Sequence, residues 1–347
     1  MIKYPVETIR DFCIQVWERV GLSPENARVC TDTLLAAELR GVRTHGVTHM
    51  KDYCTRMTLG TLANGDTMEF TLTSPSTLLV DAKFTMGTVA ANKVMDRCIQ
   101  EAKKSGACFA AVRNGCHYGL GAYYPMKAAK ENMIGLSLTN TSPLVSPSGG
   151  ADPLLGTNPI SIAIPAGRYP DLVLDMATST VAKGKISLAL KEGNDIPLGW
   201  ALDSEGKPTT SAAKADKGSL TPFGGYKGYG LGLVVSLLSF ALSGADMDIN
   251  LPKFFDRPDT FSNGGYFMGA IDVNRFCPAD VFKIRVDTFL DILKNCRPAA
   301  GSTGVMIPGE IEIQRAQKIQ QEGIELSDAT LRDFREMSEA YGVPYVF

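Results

Sequence analysis

The sequence predicts an α/β fold. Short apolar runs of strand length alternate with helical stretches through the middle of the chain. Gly, Pro, Asn and Ser punctuate them as turns. Both ends read as helical, the tail from about Gly309 being charged as well.

Ile9, Phe12, Val16 and Val20 recur at helical spacing, and Gly21 stops that helix. Ser23, Pro24 and Glu25 form an N-cap, a first-turn proline and an early acid, so a second helix begins there. Its apolar stripe includes Val29, Leu34 and Leu35, and it runs out at Arg40-Gly41. Residues 78–82 (LLVDA) read as a strand, followed by a helix to about 104. CFAAV (108–112) is a buried strand, and Asn114-Gly115 a turn. Tyr123 to Glu131 is helical, and IGLSLTN (134–140) is a strand. The stretch from Thr141 to Pro159 is rich in Gly, Pro, Ser and Asn; its uncharged character predicts an ordered loop. SIAIP (161–165) and LVLDM (172–176) are further strands.

The chain has 347 residues, 44% of them hydrophobic and 21% charged. That length predicts two domains or one elaborated one, with a core that needs no disulfide or metal. A net charge of −2 gives no footprint for nucleic acid or an anionic membrane. The eight cysteines form no CxxC pair, as expected of reduced, mostly buried thiols. MIKYPVETIRDF lacks a signal-peptide core, so a cytoplasmic location is expected. The uncharged run from Gly228 to Ala245 barely reaches membrane-spanning length; its glycines predict a closely packed core helix instead.

The common nucleotide and hydrolase fingerprints are absent: there is no G-x-G-x-x-G, Walker loop, HExxH or G-x-S-x-G. Candidate chemistry lies in clusters. RTHGV and the residues after it carry His45 and His49, four apart, which in a helix would share a face. A zinc site needs a third ligand and usually a nearby base, but Gly46 follows His45, and Glu38 is out of helical step with both histidines. Acid/base work needs one histidine and an orienting hydroxyl, which Thr44 supplies. His117 sits among glycines in NGCHYGLGAYY (114–124), where backbone can approach a ligand closely. LGTNPISIAIP offers Thr157 and Asn158 before a strand. LDMATSTVAKGKI ends a strand at Asp175 and turns to Lys183 and Gly184; a helix-capping role for Asp175 is the alternative there. GGYKGYGLG places Lys227 on a glycine-rich turn that opens the apolar run.

Taken together, RGVRTHGV, NGCHYGLGAYYPMKAA, IGLSLTNTSPLVSPSGG, LLGTNPISIAIP, VLDMATSTVAKGKI, IPLGWALDSEGKPTT, LTPFGGYKGYGLGL and IPGEIE followed by GIEL resemble the type-2 malate/L-lactate dehydrogenase family. That family includes L-sulfolactate and ureidoglycolate dehydrogenases, diketogulonate reductase and piperideine-carboxylate reductase. The resemblance implies a non-Rossmann, L-sulfolactate dehydrogenase-like fold with a mixed-sheet α/β core. A helical segment (1–75) would be joined in space by a helical tail (310–347), around a cofactor- and substrate-binding core (76–309). It implies a homodimeric oxidoreductase that uses NAD or NADP, NAD being preferred, on a small 2-hydroxy or 2-oxo acid of malate or lactate type. Reduction of another oxo acid or a cyclic imine is the alternative within the family. A metal-assisted hydrolase or lyase built on the histidines and a non-catalytic nucleotide-binding module are alternatives outside it.

By the same resemblance, His45 carries the proton, backed by Thr44 in place of the usual serine. His117 is the second candidate for proton transfer and, with Tyr118 and Gly119, lies near the nicotinamide. Thr157 would meet substrate. Thr141, Asp175, Met176, Ala177, Lys183, Gly184, Lys227, Gly309 and Glu310 would meet cofactor. Where many members carry an arginine for the substrate carboxylate, this chain has His49, which lacks the bidentate, permanently charged fork. The carboxylate is then expected to be held less tightly, or by Arg43 or Arg56.

Overall fold

The computed structural model describes residues 2–347. After a two-residue strand β1 (Lys3–Tyr4), helix α1 (Val6–Arg19) buries Ile9, Phe12 and Val16 completely. Helix α2 (Pro24–Leu39) starts where its cap signals place it: the Ser23 hydroxyl accepts from the Asn26 N–H at 3.3 Å. Helix α3 (Met50–Thr58) follows the histidine-bearing turn.

The core continues with strands β2 (Glu69–Ser74) and β3 (Thr77–Asp81), helix α4 (Gly87–Ser105) and strand β4 (Ala107–Gly115). Helix α5 (Tyr123–Lys130) leads to strands β5 (Met133–Thr139), β6 (Ile160–Ile164) and β7 (Leu172–Met176). Next come α6 (Lys183–Glu192), a small three-stranded sheet of β8 (Ala201–Leu202), β9 (Pro208–Thr209) and β10 (Ser219–Leu220), and α7 (Ala212–Asp216) beside it. Helix α8 (Tyr226–Phe240), strand β11 (Gly264–Asp272) and helix α9 (Ala279–Lys294) complete this part.

The main sheet runs β2-β3-β4-β11-β5-β6-β7. Only β3 and β4 are parallel, and every other pair is antiparallel. The central strand β11 lies outside the strands that the sequence predicts. It inserts between β4 and β5 from more than a hundred residues downstream, so no local turn signal announces it. Its pairing also corrects the turn expected at Asn114-Gly115. Strand β4 continues through Gly115, with Asn114 at φ +53° and a register shift opposite, between Gly264 and Tyr266. A Cβ on Gly115 would stand 2.6 Å from the Tyr266 ring, so the glycine serves a crossing side chain here.

The tail returns to the N-terminal helices. Helix α10 (Glu310–Glu322) packs on α2, strand β12 (Ile324–Glu325) pairs with β1, and α11 (Asp328–Tyr341) packs on α1 and α3. Phe12, Phe334 and Phe347 cluster there with ring centroids 4.8–5.1 Å apart.

Helix α8 departs from the buried core helix expected of its sequence. Gly228, Gly232, Val235, Ser236 and Ser239 face the sheet, but Leu231, Val234 and Leu237 are 43–51% exposed. A single-chain sheet covers one face of a helix, and this sequence is apolar on all faces. Among the described residues, no helix is long and apolar enough to cross a membrane.

Candidate active site

The site starts where α2 ends. Gly41 takes a left-handed conformation (φ +76°), and the chain then makes two short 3-10 turns, Arg43–His45 and Val47–His49, hinged at Gly46. His45 and His49 therefore do not share a helix face as their spacing suggested. The hinge is held by Glu38, only 3% exposed, whose carboxylate accepts the Val47 N–H at 2.9 Å. A Cβ on Gly46 would lie 2.0 Å from Glu38 Oε1, so only glycine admits the carboxylate. Burial pushes the Glu38 carboxyl up to about 7, against the Val47 N–H and the Arg43 charge. Being out of helical step hid this residue in the sequence, because it grips backbone rather than a histidine.

Three histidines from two segments meet here. The His45 and His117 rings lie 5.7 Å apart, and His49 and His117 6.1 Å. His45 Nδ1 is 3.0 Å from the Thr44 hydroxyl, the pairing the sequence suggested. His117 Nδ1 lies 2.6 Å from the Tyr53 hydroxyl. Burial keeps Tyr53 a phenol, its pKa well above the ordinary value, and among the described residues its buried hydroxyl has no hydrogen-bond partner but His117, so the O–H donates and His117 Nδ1 accepts. The neutral His117 tautomer then carries its proton on Nε2. Burial pushes His45 down to about 4, with the His49 charge adding to the shift, and holds His117 well below its ordinary value.

The remaining candidates separate by geometry. His49 Nδ1 is 3.0 Å from Asp52 Oδ2 and its Nε2 3.0 Å from the Thr44 carbonyl, which leaves neither nitrogen free for a substrate carboxylate. Arg56 is spent on the carbonyls of Phe254, Arg257 and Thr260 and stacks on the Phe254 ring. Arg43 is exposed, 3.5 Å from Glu325. Tyr118 has its ring in the core, edge-on to Tyr124 and Tyr266, so only its backbone can meet a ligand. Gly119 (φ +71°) passes beside the His45 carbonyl. Among the described residues no group of three His, Cys, Asp or Glu side chains is arranged to hold a metal ion.

A cleft opens beside this turn, lined by Arg40, Val42, Val173, Asp175, Gly309 and Glu312. It brings together Asp175 and Gly309, far apart in sequence. Gly309 (φ +93°) caps α10, and a Cβ there would stand 2.9 Å from Val173. Asp175 accepts from the Ser161 hydroxyl at 2.6 Å and from the Ala122 N–H at 3.3 Å, so it does not cap the following helix. The surrounding protein raises its pKa. Arg40 is 7% exposed, and its guanidinium has no hydrogen-bond or ion-pair partner among the described residues. Burial lowers its pKa even with Glu312 and Asp175 in range. No motif in the sequence assigns a role to this residue. A guanidinium in an open cleft beside a helix N-terminus can meet a phosphate, and the Asp175 and Glu312 carboxylates can accept ribose hydroxyls, so these residues fit a dinucleotide.

Other candidates support the surroundings. Thr141 Oγ1 accepts the Thr157 N–H at 3.0 Å. The adjoining Asn158 donates at 2.8 Å to Asp248, a buried carboxylate that also accepts from Asn140, Gly156 and Ser236. That network orders the Thr141–Pro159 loop. Gly184 lies beside Thr44, a Cβ there being 3.4 Å from its methyl. Lys183 is engaged by Asp216, and Glu310 by Lys294 and the Ile307 N–H. Met176 and Ala177 are half-buried at the end of β7, and Lys227 is exposed in the first turn of α8.

Residues 4–335 match the family model described as malate/L-lactate dehydrogenase. The L-sulfolactate dehydrogenase of Methanocaldococcus jannaschii is 36% identical over 97% of this chain and 96% of its own length. Its solved structure superposes with a TM-score of 0.94 at 35% identity, covering 99% of this chain and 98% of that one. The malate dehydrogenase of Pyrococcus abyssi is 35% identical over 99% of this chain and 96% of its own. The crystal structure of malate dehydrogenase from Entamoeba histolytica matches with a TM-score of 0.93 at 32% identity, covering 100% and 99%.

Proposed function

The chain belongs to the malate/L-lactate dehydrogenase family, and within it we propose that His45 carries the proton of a reversible 2-hydroxy acid dehydrogenase reaction. The protein is an NAD(P)-dependent oxidoreductase of small hydroxy acids. When bound, the nicotinamide exchanges a hydride with carbon 2 of the substrate. The chain's own residues bind, align and move the proton on oxygen.

The difference between the two histidines carries this reading. His117 accepts the Tyr53 O–H at Nδ1, which leaves an N–H on Nε2. It can donate to a substrate oxygen but, while neutral, has no lone pair there to take a proton. His45 leans on the Thr44 hydroxyl at Nδ1, and no hydrogen bond occupies its Nε2 among the described residues. The hydroxyl can donate or accept, so either tautomer is available. With its pKa pushed down, His45 stands neutral and ready to accept the alcohol proton in oxidation. An anionic substrate beside it favours the imidazolium that donates in reduction. His45→Ala is expected to cost about 10²–10⁴ in kcat. Turnover within a few-fold of wild type would refute the assignment.

The proposed substrate is a 2-oxo acid of the malate or lactate type. The relatives named for malate and for sulfolactate support the class. Assaying pyruvate, oxaloacetate, sulfopyruvate and a cyclic imine with NADH and with NADPH tests it. NAD is the proposed coenzyme: the cleft sets two carboxylates, Asp175 and Glu312, against one guanidinium, which disfavours an added phosphate. Equal or better turnover with NADPH would overturn that choice. A homodimer is proposed from the outward apolar faces of α8 and α9, where Ile284, Phe289 and Ile292 are also exposed. A monomer in sedimentation equilibrium at micromolar concentration would count against it.

A further inference from the structure

We infer that His49 is a positioning residue, holding the Thr44–His45 turn through the Thr44 carbonyl, and that it does not grip the substrate's acidic group. The inference rests on the assignment of proton transfer to His45.

Both partners of the His49 ring, the Thr44 carbonyl and the Asp52 carboxylate at 3.0 Å each, are acceptors. Both ring nitrogens are therefore taken up inside the protein, and neither is left for a ligand. Phe255 stacks on the imidazole at 3.9 Å and 13°, which fixes the ring plane. The residue it holds by the carbonyl is the one whose hydroxyl meets His45 Nδ1. Asp52, His49, Thr44 and His45 therefore form one chain of contacts. On the far side of the Gly46 hinge, Glu38 holds the Val47 N–H. The turn is thus pinned from both sides, and proton transfer is sensitive to small displacements of the group that performs it.

The anchor and the substrate-clamp roles separate in kinetics. His49→Phe keeps an aromatic ring for stacking on Phe255 but removes both hydrogen bonds. His49→Gln places an amide N–H near the position of Nε2 and keeps the bond to the Thr44 carbonyl. For His49→Phe we expect kcat to fall about 30-fold or more, with KM for the 2-oxo acid within about three-fold of wild type. The solvent deuterium isotope effect on kcat should rise, and NADH affinity by fluorescence titration should stay unchanged. His49→Gln should recover kcat to within about five-fold of wild type. A large rise in KM at unchanged kcat in both variants would make His49 the clamp and overturn the inference. So would equal loss of kcat in both, or no loss in either. If His49→Phe does not fold, Asp52→Ala cuts the outer link, and unchanged kcat there would overturn the inference as well. His45→Ala, run alongside, reports on the underlying assignment: activity in that variant removes His45 whatever the His49 variants do.

Discussion

The histidine turn and the Arg40 cleft arise from the same short segment after α2, yet they are built in opposite ways. In the turn, Glu38 holds the Val47 N–H, Thr44 meets His45, His49 bridges the Thr44 carbonyl and Asp52, and Tyr53 meets His117, so the polar groups are paired within the protein. In the cleft, the Arg40 guanidinium makes no hydrogen bond or close ion pair and faces the Asp175 and Glu312 carboxylates across open space. The first region is pre-organised and costs nothing further when substrate arrives. The second carries an electrostatic cost that an anionic ligand relieves, so its free energy appears as affinity.

The contrast can be broken most severely at the hinge. Gly46→Ala drives a methyl into the Glu38 carboxylate, and kcat should fall about 100-fold or more as the turn moves. Steady-state kinetics beside a thermal melt would show it, and near-normal kcat would mean the turn tolerates displacement. In the cleft, Arg40→Met should weaken NADH binding about 10- to 100-fold while changing Tm little, because the guanidinium makes no hydrogen bond or ion pair within the fold. Loss of Tm with intact NADH affinity would show instead that Arg40 supports the fold.

Glu38→Gln sharpens the comparison from the other side. Its folded pKa is raised to about 7, so the wild-type contribution is fully present below the unfolded carboxylate value and is lost as pH rises through 7. The amide keeps an acceptor for the Val47 N–H without the charge. Its stability advantage should therefore grow from pH 5 to pH 8, towards about 3 kcal/mol, read as a rising Tm difference. A pH-independent difference would contradict the raised pKa. His45 has the opposite sign: lowered to about 4, it destabilises the fold as pH falls from about 6.5 towards 4. The smallest effect is expected far from both regions. Val234→Lys on the outer face of α8 should change monomer stability by no more than about 0.5 kcal/mol while weakening self-association in sedimentation.

Much of this molecule could be read in advance. Ser23-Pro24-Glu25 announces α2 because a cap is a local contact. LVLDM announces β7 because β-branched and apolar residues mark a half-buried strand. The glycines around His117 mark a close approach, and Thr44 beside His45 marks a hydroxyl within reach. These signals act within a few residues, as the physics that makes them does. Helix α8 misled because an apolar sequence states that a face will be covered without stating by what.

What the sequence determined by itself was the alternation of helices and strands from α1 to β7, with β2 and α3 unread, together with the family and the pairing of Thr44 with His45. Tertiary structure alone decided that β11 enters the sheet between β4 and β5, that Glu38 and His49 pin the proton-transfer turn, and that Arg40 is left without a partner. Each of these depends on which distant backbone amide, carbonyl or charge comes to lie within hydrogen-bonding distance. Pairing of that kind leaves no period in the chain, because its partners meet only after the sheet and the two helical ends have packed.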